Sequence, residues 1–131
     1  MPPDFFGFLL RSLEEIGASE PEADLALALS LGPLRARITA NGESFILARD
    51  AGRWRIEASS QADVHVSFDS HAISDLIAGA VTLNEAILEE RIAIVGRVDK
   101  VARFHDALVI YLEGLLRAPG TAQLLEQYVK G

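Results

Sequence analysis

The chain has 131 residues, which suits one domain with a buried core, and half of its residues are hydrophobic. Its 19 acidic and 12 basic residues give a net charge of −7, which argues against nucleic acid partners and against docking on anionic lipid, because both need clustered Lys and Arg. Cysteine is absent, which excludes disulfides, thiolate metal sites and cysteine nucleophiles and fits a reducing cytoplasm.

The first predicted element is a helix over residues 5–16. Asp4 can cap the start of this helix and Gly17 can end it. Residues 5–10 are apolar but too few for the core of a signal peptide, so no targeting segment is predicted.

The segment over residues 20–31 carries conflicting signals. Ser19 and Glu22 have the spacing of a capping box, and the Leu and Ala residues favour a helix. Leucine at every second position from Leu25 to Leu31 is also the periodicity of a strand. We predict a helix and keep a strand as the alternative.

The pair Asn41-Gly42 is a strong signal for a β-hairpin with a two-residue turn. Such a turn sets the register of its strands, which pairs Ala40 with Glu43, Ile38 with Phe45 and Ala36 with Leu47. One face of the hairpin then carries Leu34, Ala36, Ile38, Phe45 and Leu47, and the opposite face carries Arg35, Arg37, Thr39, Ser44 and Ile46.

Two more strands follow the hairpin and alternate in the same way. The third carries Trp54 and Ile56 on its apolar face, and the fourth carries Val64, Val66 and Phe68. Four consecutive strands with one apolar and one charged face indicate an antiparallel sheet with one face exposed to solvent.

Two short helices and a fifth strand are predicted next. One helix covers residues 71–78, and Thr82 and Glu85 form a capping box that begins another over 83–89. The apolar run over 91–96 predicts a strand buried on both faces, as an inner strand would be.

A long helix is predicted over residues 100–116, with Asp99 as its cap. Residues 108–112 are apolar all round, which indicates that this helix is enclosed on more than one side. Pro119-Gly120 breaks the chain, and an amphipathic helix is predicted over 121–129.

This order of elements predicts one α+β domain over residues 1–131, with a five-stranded, mainly antiparallel sheet and helices covering one face. The excess of hydrophobic residues has to be buried somewhere. It can form a second buried layer, the lining of a cavity, or an interface with a second copy or a biosynthetic partner protein. No apolar run approaches the roughly 18 residues of a membrane-spanning helix, so no stable membrane insertion is predicted.

The stretch from Asp63 to Phe104 resembles the sterol carrier protein type two domain. The likeness rests on a strand, a helix that ends in glycine, a second helix, and a strand of alternating Ile and Ala that ends in glycine. In this sequence these segments are Ala62–Val66, Ile73–Gly79, the helix with Glu85-Ala86, and Arg91–Gly96.

The resemblance implies a five-stranded sheet with an apolar tunnel beneath its helices, often gated by the C-terminal helix. It also implies binding of sterols, fatty acids, fatty acyl-CoA or other lipids without a dedicated catalytic group. Many members have glycine in the turn before the fifth strand, where this chain has Glu89-Glu90. That turn is expected to close without a positive φ, or in a different way.

The apolar faces of the predicted elements supply the candidate lining of the tunnel, although each residue alone could equally pack as core. Affinity would come from burial of apolar surface, at about 0.8 kcal/mol per methylene, so broad specificity is expected. The candidate ligand-binding residues are Ile38, Phe45, Trp54, Val66, Phe68, Leu76, Ile77, Leu83, Ile87, Leu108, Tyr111, Leu112, Leu115, Leu124, Leu125 and Tyr128.

No pattern in the sequence predicts a catalytic residue, a metal or a cofactor. The histidines at 65, 71 and 105 lack the spacing of a zinc site, which needs three or four converging ligands. Nucleophile-elbow, dinucleotide-binding and P-loop motifs are absent. Adjacent strands carry a cluster of arginines, Arg35, Arg37, Arg53 and Arg55. These side chains either keep an exposed face of the sheet solvated or bind an anionic head group or an acidic partner.

Three functions are consistent with these observations. The first is a protein that binds or transfers lipid. The second is a non-catalytic accessory protein that presents an apolar intermediate in lipid, quinone or polyketide biosynthesis. The third is a small enzyme that uses the same cavity, for which the sequence selects no nucleophile or base.

Overall fold

The computed structural model describes residues 5–40, 42–50, 52–58, 61–69, 71–118, 120, 123, 124 and 126. In chain order the elements are α1 (Phe5–Ser19), α2 (Pro21–Leu31), β1 (Ala36–Ala40), β2 (Glu43–Asp50), β3 (Arg53–Glu57), β4 (Val64–Phe68), α3 (Ala72–Ala78), α4 (Leu83–Leu88), β5 (Ile92–Gly96) and α5 (Val98–Arg117).

The five strands form one sheet in the order β3-β2-β1-β4-β5. Neighbouring strands are antiparallel except β1 and β4, which run parallel with Ala36 opposite Val64. The predicted α+β class and the mainly antiparallel sheet are therefore confirmed.

The position of β4 corrects the purely antiparallel arrangement predicted for the first four strands. Instead of pairing with β3, β4 lies on the other side of β1, where the backbone N–H of Asp63 donates to the carbonyl oxygen of Arg35 at 2.8 Å. Alternation of apolar residues determines which face of a sheet a residue occupies, but not which strand lies beside it.

The predicted hairpin register is confirmed. Ala40 lies opposite Glu43, and the pairing continues to Ala36 opposite Leu47. Gly42 has a φ of 80°, as a tight hairpin turn requires, while Asn41 lies outside the described residues.

Strand β5 lies at an edge of the sheet, which corrects the prediction of an inner strand buried on both faces. Ile92 is fully buried, whereas Val95 exposes 63% of its surface. A short apolar run needs only one covered face, so the composition of β5 did not distinguish an edge strand from an inner one.

Helix α1 runs through Gly17, the residue predicted to end it. The segment after it is helix α2, as predicted, but the predicted capping box is wrong. Glu20 is the N-cap of α2 without a side-chain cap hydrogen bond, because Ser19 is still part of α1 and its hydroxyl donates to Glu15 at 2.9 Å.

The capping box of α4 is confirmed. The backbone N–H of Thr82 donates to Glu85 Oε1 at 2.9 Å, and that of Glu85 donates to Thr82 Oγ1 at 3.1 Å. Asp99 lies in the first turn of α5 instead of capping it, since this helix begins at Val98. The helix predicted over 121–129 falls almost wholly outside the described residues.

Helices α1, α2 and α5 share one core with the apolar face of the sheet. Aromatic rings join α1 to the strands, with centroids 5.5 Å apart for Phe5 and Phe68 and 4.8 Å apart for Phe6 and Phe45. The apolar core of the protein therefore lies in the layer between the sheet and these helices.

Candidate ligand-binding site

A small apolar cavity of about 40 Å³ lies in the layer between the sheet and the helices. It is lined by Phe5, Leu9, Leu13, Leu27, Leu31, Ile38, Leu47, Trp54, Phe68, Ile73, Phe104, Ala107, Leu108 and Tyr111.

Five of the sequence-predicted residues line this cavity, nine pack elsewhere in the core, and two lie outside the described residues. The five are Ile38, Trp54, Phe68, Leu108 and Tyr111. Buried or half-buried around them, without lining the cavity, are Phe45, Val66, Leu76, Ile77, Leu83, Ile87, Leu112, Leu115 and Leu124. Leu125 and Tyr128 lie outside the described residues.

Helices α1 and α2 supply lining residues that are not among the ligand-binding residues predicted from the sequence. Phe5, Leu9 and Leu13 are four residues apart and therefore share one face of α1, while Leu27 and Leu31 do the same on α2. This spacing was visible in the sequence, but it did not show that the two helices would lie over the sheet.

The hydroxyl of Tyr111 is already hydrogen-bonded within the protein. It lies 2.7 Å from the hydroxyl oxygen of Ser12, which is fully buried and itself donates to the carbonyl oxygen of Leu9 at 2.8 Å. Because Ser12 has only one hydroxyl proton, Tyr111 is the donor to Ser12. Tyr111 therefore presents mainly its ring to the cavity.

The ionisable groups with clear pKa shifts lie away from the cavity. Hydrogen bonds from the Lys100 ammonium and the backbone N–H of Arg35 lower the pKa of Asp63. The capping box with Thr82 lowers the pKa of Glu85.

Arg91 is the third such group, and its pKa is raised by hydrogen bonds to Asp75 and Asp69. These two carboxylates belong to α3 and to the segment that precedes it, so Arg91 ties that region to the start of β5. Like the other two shifts, this one has a structural cause and is not evidence for an acid or base at the cavity.

Within the described part of the chain, no group of three or more His, Cys, Asp or Glu side chains could hold a metal ion. Among the helices of that same part, none is long and apolar enough to cross a bilayer.

Neither the protein-family models nor the curated proteins include a match to this sequence. Solved structures do match. The UbiJ-SCP2 ubiquinone synthesis protein is 16% identical, with a TM-score of 0.60 over 81% of this chain and 87% of that chain. A Thermus thermophilus protein suggested to be a sterol carrier protein is 14% identical, with a TM-score of 0.54 over 87% and 90%. A sterol carrier protein 2 is 12% identical, with a TM-score of 0.53 over 85% and 95%.

Proposed function

We infer that this chain, which has the fold of the sterol carrier protein type two domain, binds an apolar ligand such as a sterol, a fatty acid or an acyl-CoA beneath its helices. The observation that carries this proposal is the apolar cavity at the interface of the sheet with α1, α2 and α5. We propose a carrier without a catalytic step, because Tyr111 is the one titratable side chain among the described lining residues and its hydroxyl is hydrogen-bonded to Ser12. We also propose that it works in a reducing cytoplasm, which a chain without cysteine fits.

The cavity has to expand before it can hold such a ligand. One water molecule needs about 10–15 Å³ by the same measure, so about 40 Å³ holds only about three waters. An acyl chain of twelve carbons gains on the order of 10 kcal/mol gross by burial, at about 0.8 kcal/mol per methylene, which can offset the separation of packed side chains. We therefore propose that ligand entry moves the helical layer away from the sheet.

A pair of alanines on α5 gives a matched test of this site. Ala107 is buried and lines the cavity, whereas Ala102 is exposed on the same helix. Ala107→Leu adds side-chain volume where the ligand would lie, so we expect it to weaken binding of a fluorescent fatty acid about tenfold. Ala102→Leu should leave the affinity unchanged.

Solvent extraction of the purified wild-type protein, followed by mass spectrometry, provides a second measurement. We expect a bound lipid in the extract and saturable uptake of the fluorescent fatty acid. The proposal fails if no lipid is recovered and no uptake is seen, or if the two alanine variants bind the fatty acid alike while circular dichroism shows both to be folded.

A second candidate is a non-catalytic accessory role in the biosynthesis of an apolar compound. It is favoured by the fold shared with the UbiJ-SCP2 ubiquinone synthesis protein and by two exposed leucines on α2, Leu25 and Leu29, which a partner protein could cover. Transfer of the ligand between vesicles by the isolated protein would favour the carrier. Co-purification with biosynthetic enzymes, together with no transfer by the protein alone, would favour the accessory role.

A further inference from the structure

A larger, open cleft of about 460 Å³ lies beside the apolar cavity, between α1, α2 and the strands β2 and β3. Its walls are both polar and apolar, unlike those of the cavity. The lining residues are Leu13, Glu14, Gly17, Asp24, Arg49, Gly52, Arg53 and Trp54.

Two side chains are common to the cleft and the cavity. Leu13 of α1 and Trp54 of β3 line both spaces, so they form the partition between them. A movement of these two side chains would join the apolar cavity to the solvent-filled cleft. An extended ligand could then keep its hydrocarbon chain in one space and its polar end in the other.

Trp54 also brings an unused hydrogen-bond donor to this partition. Its indole Nε1 is buried and has no hydrogen-bond partner within the described part of the chain. A buried donor without a partner destabilises the fold, and such groups are rare in folded proteins. The indole N–H can only donate, so the group that satisfies it has to be an acceptor.

The charged side chains of the cleft hold the indole ring in place. The guanidinium of Arg49 lies 4.9 Å from the centroid of the Trp54 ring and donates to both carboxylate oxygens of Asp24, at 3.1 and 3.3 Å. Asp24 thus neutralises Arg49. Arg53 makes no ion pair within the described residues and places a positive charge at the rim, and Glu14 of α1, which also lines the cleft, carries a negative charge that is likewise unpaired there.

We propose that the cleft is the subsite for the polar end of an acyl ligand, whose carbonyl or carboxylate oxygen accepts a hydrogen bond from the indole N–H of Trp54. This inference rests on the proposed function, since the hydrocarbon chain of that ligand occupies the apolar cavity. Binding supplies the partner that the indole N–H lacks among the described residues. A carboxylate would in addition be attracted by Arg53.

The single tryptophan of the chain allows a direct test. In ¹⁵N-labelled protein it gives one indole N–H resonance, which we expect to move downfield when dodecanoic acid or its methyl ester is added. Trp54→Phe should weaken binding of the responding ligand about tenfold, measured by displacement of a fluorescent fatty acid. If Trp54→Phe binds both the acid and the ester more weakly, the carbonyl oxygen is the acceptor of the indole hydrogen bond. If it binds only the acid more weakly, the acceptor is the carboxylate.

Arginine variants separate the charge from the hydrogen bond. Arg53→Gln should weaken binding of the acid but not of the ester. Arg55→Gln is the matched control, because Arg55 lies on the same strand, is paired with Asp50 at 3.2 Å and does not line the cleft. The inference is overturned if the wild type binds these ligands while its indole resonance stays in place and Trp54→Phe binds them equally well. No binding by the wild type would instead refute the proposed function.

Discussion

Glu90, in the turn that leads into β5, has a φ of 62° and is the one non-glycine residue with a positive φ in the described part of the chain. The left-handed conformation costs a residue with a Cβ roughly 1–2 kcal/mol. Of the two expectations for this turn, closure without a positive φ is therefore wrong, because Glu90 itself adopts the positive φ that glycine would otherwise provide. The backbone N–H of Glu90 donates to the carbonyl oxygen of Ile87 at 3.1 Å, which helps to hold it there.

Glycine substitutions at the two glutamates of this turn should have opposite effects. Glu90→Gly removes the clash of the Cβ, so we expect the free energy of unfolding to rise by about 1 kcal/mol. Glu89 has a φ of −86°, which any residue can adopt, so glycine there only adds freedom to the unfolded chain. Glu89→Gly should therefore lower the free energy of unfolding by roughly 0.5–1 kcal/mol. Urea unfolding measures both, and changes of equal sign would contradict this account.

Ile46 is completely buried although it lies on the charged face of the sheet. In the register of the strands it is opposite Arg37 and Glu57, and Glu57 forms an ion pair with Arg35. Long side chains of this kind can cover apolar surface with their methylene stems while their charged ends stay in water. The two half-buried arginines of this face, Arg35 and Arg37, can therefore contribute to packing as well as to solvation.

Asp63 joins three segments of the chain. One carboxylate oxygen accepts from the backbone N–H of Arg35, just before β1, and the other accepts from Lys100 of α5, both at 2.8 Å. Asp63 itself precedes β4, so these bonds hold the start of the parallel pair β1–β4 against the last long helix.

The contribution of Asp63 should depend on pH. Its pKa is lowered in the folded state, so its stabilising effect is complete above the unfolded pKa of about 3.9 and is lost as the pH falls through the lower folded value. We expect Asp63→Asn to reduce the free energy of unfolding by about 1 kcal/mol at pH 7. The difference from the wild type should shrink between pH 4 and pH 2, as measured by urea unfolding.

Asp50→Asn is the control for this experiment. Asp50 pairs with Arg55 at 3.2 Å, but both side chains are largely exposed, so its loss should change the stability by less than about 0.5 kcal/mol at either pH. A pH-independent effect of Asp63→Asn, or an equal effect of Asp50→Asn, would show that the three-way contact does not act through the charge of Asp63.

The small size of the cavity implies a balance between the stability of the protein and its affinity for a ligand. Leu108→Ala should lower the free energy of unfolding by about 2–5 kcal/mol, because Leu108 is buried and lines the cavity. It should also tighten binding of a fluorescent fatty acid, since the variant already contains part of the volume that the ligand needs. Leu29→Ala, at a site that is 72% exposed, should alter neither quantity. Weaker binding by Leu108→Ala would argue against expansion of this cavity.

Local patterns in the sequence predicted the parts of the fold that depend on neighbouring residues. The turn at Gly42 and the box from Thr82 to Glu85 are such cases. The position of β4 beside β1 and the packing of α1 on the sheet depend on contacts between residues that are distant in sequence. The alternation of apolar and polar residues does not specify such contacts. The same limit applies to the cavity, whose lining combines the predicted Ile38 and Leu108 with α1 and α2.

The parallel pairing of β1 with β4 also bears on how the chain reaches its native state. The β1–β2 hairpin closes over a two-residue turn and can form in about 1–10 μs. The second edge of β1 stays unpaired until β4 reaches it, which requires the chain between β1 and β4 to close as a larger loop. During that interval the middle strand of the future sheet offers unpaired backbone groups to any other chain, so refolding at high protein concentration should favour intermolecular association over the native crossover.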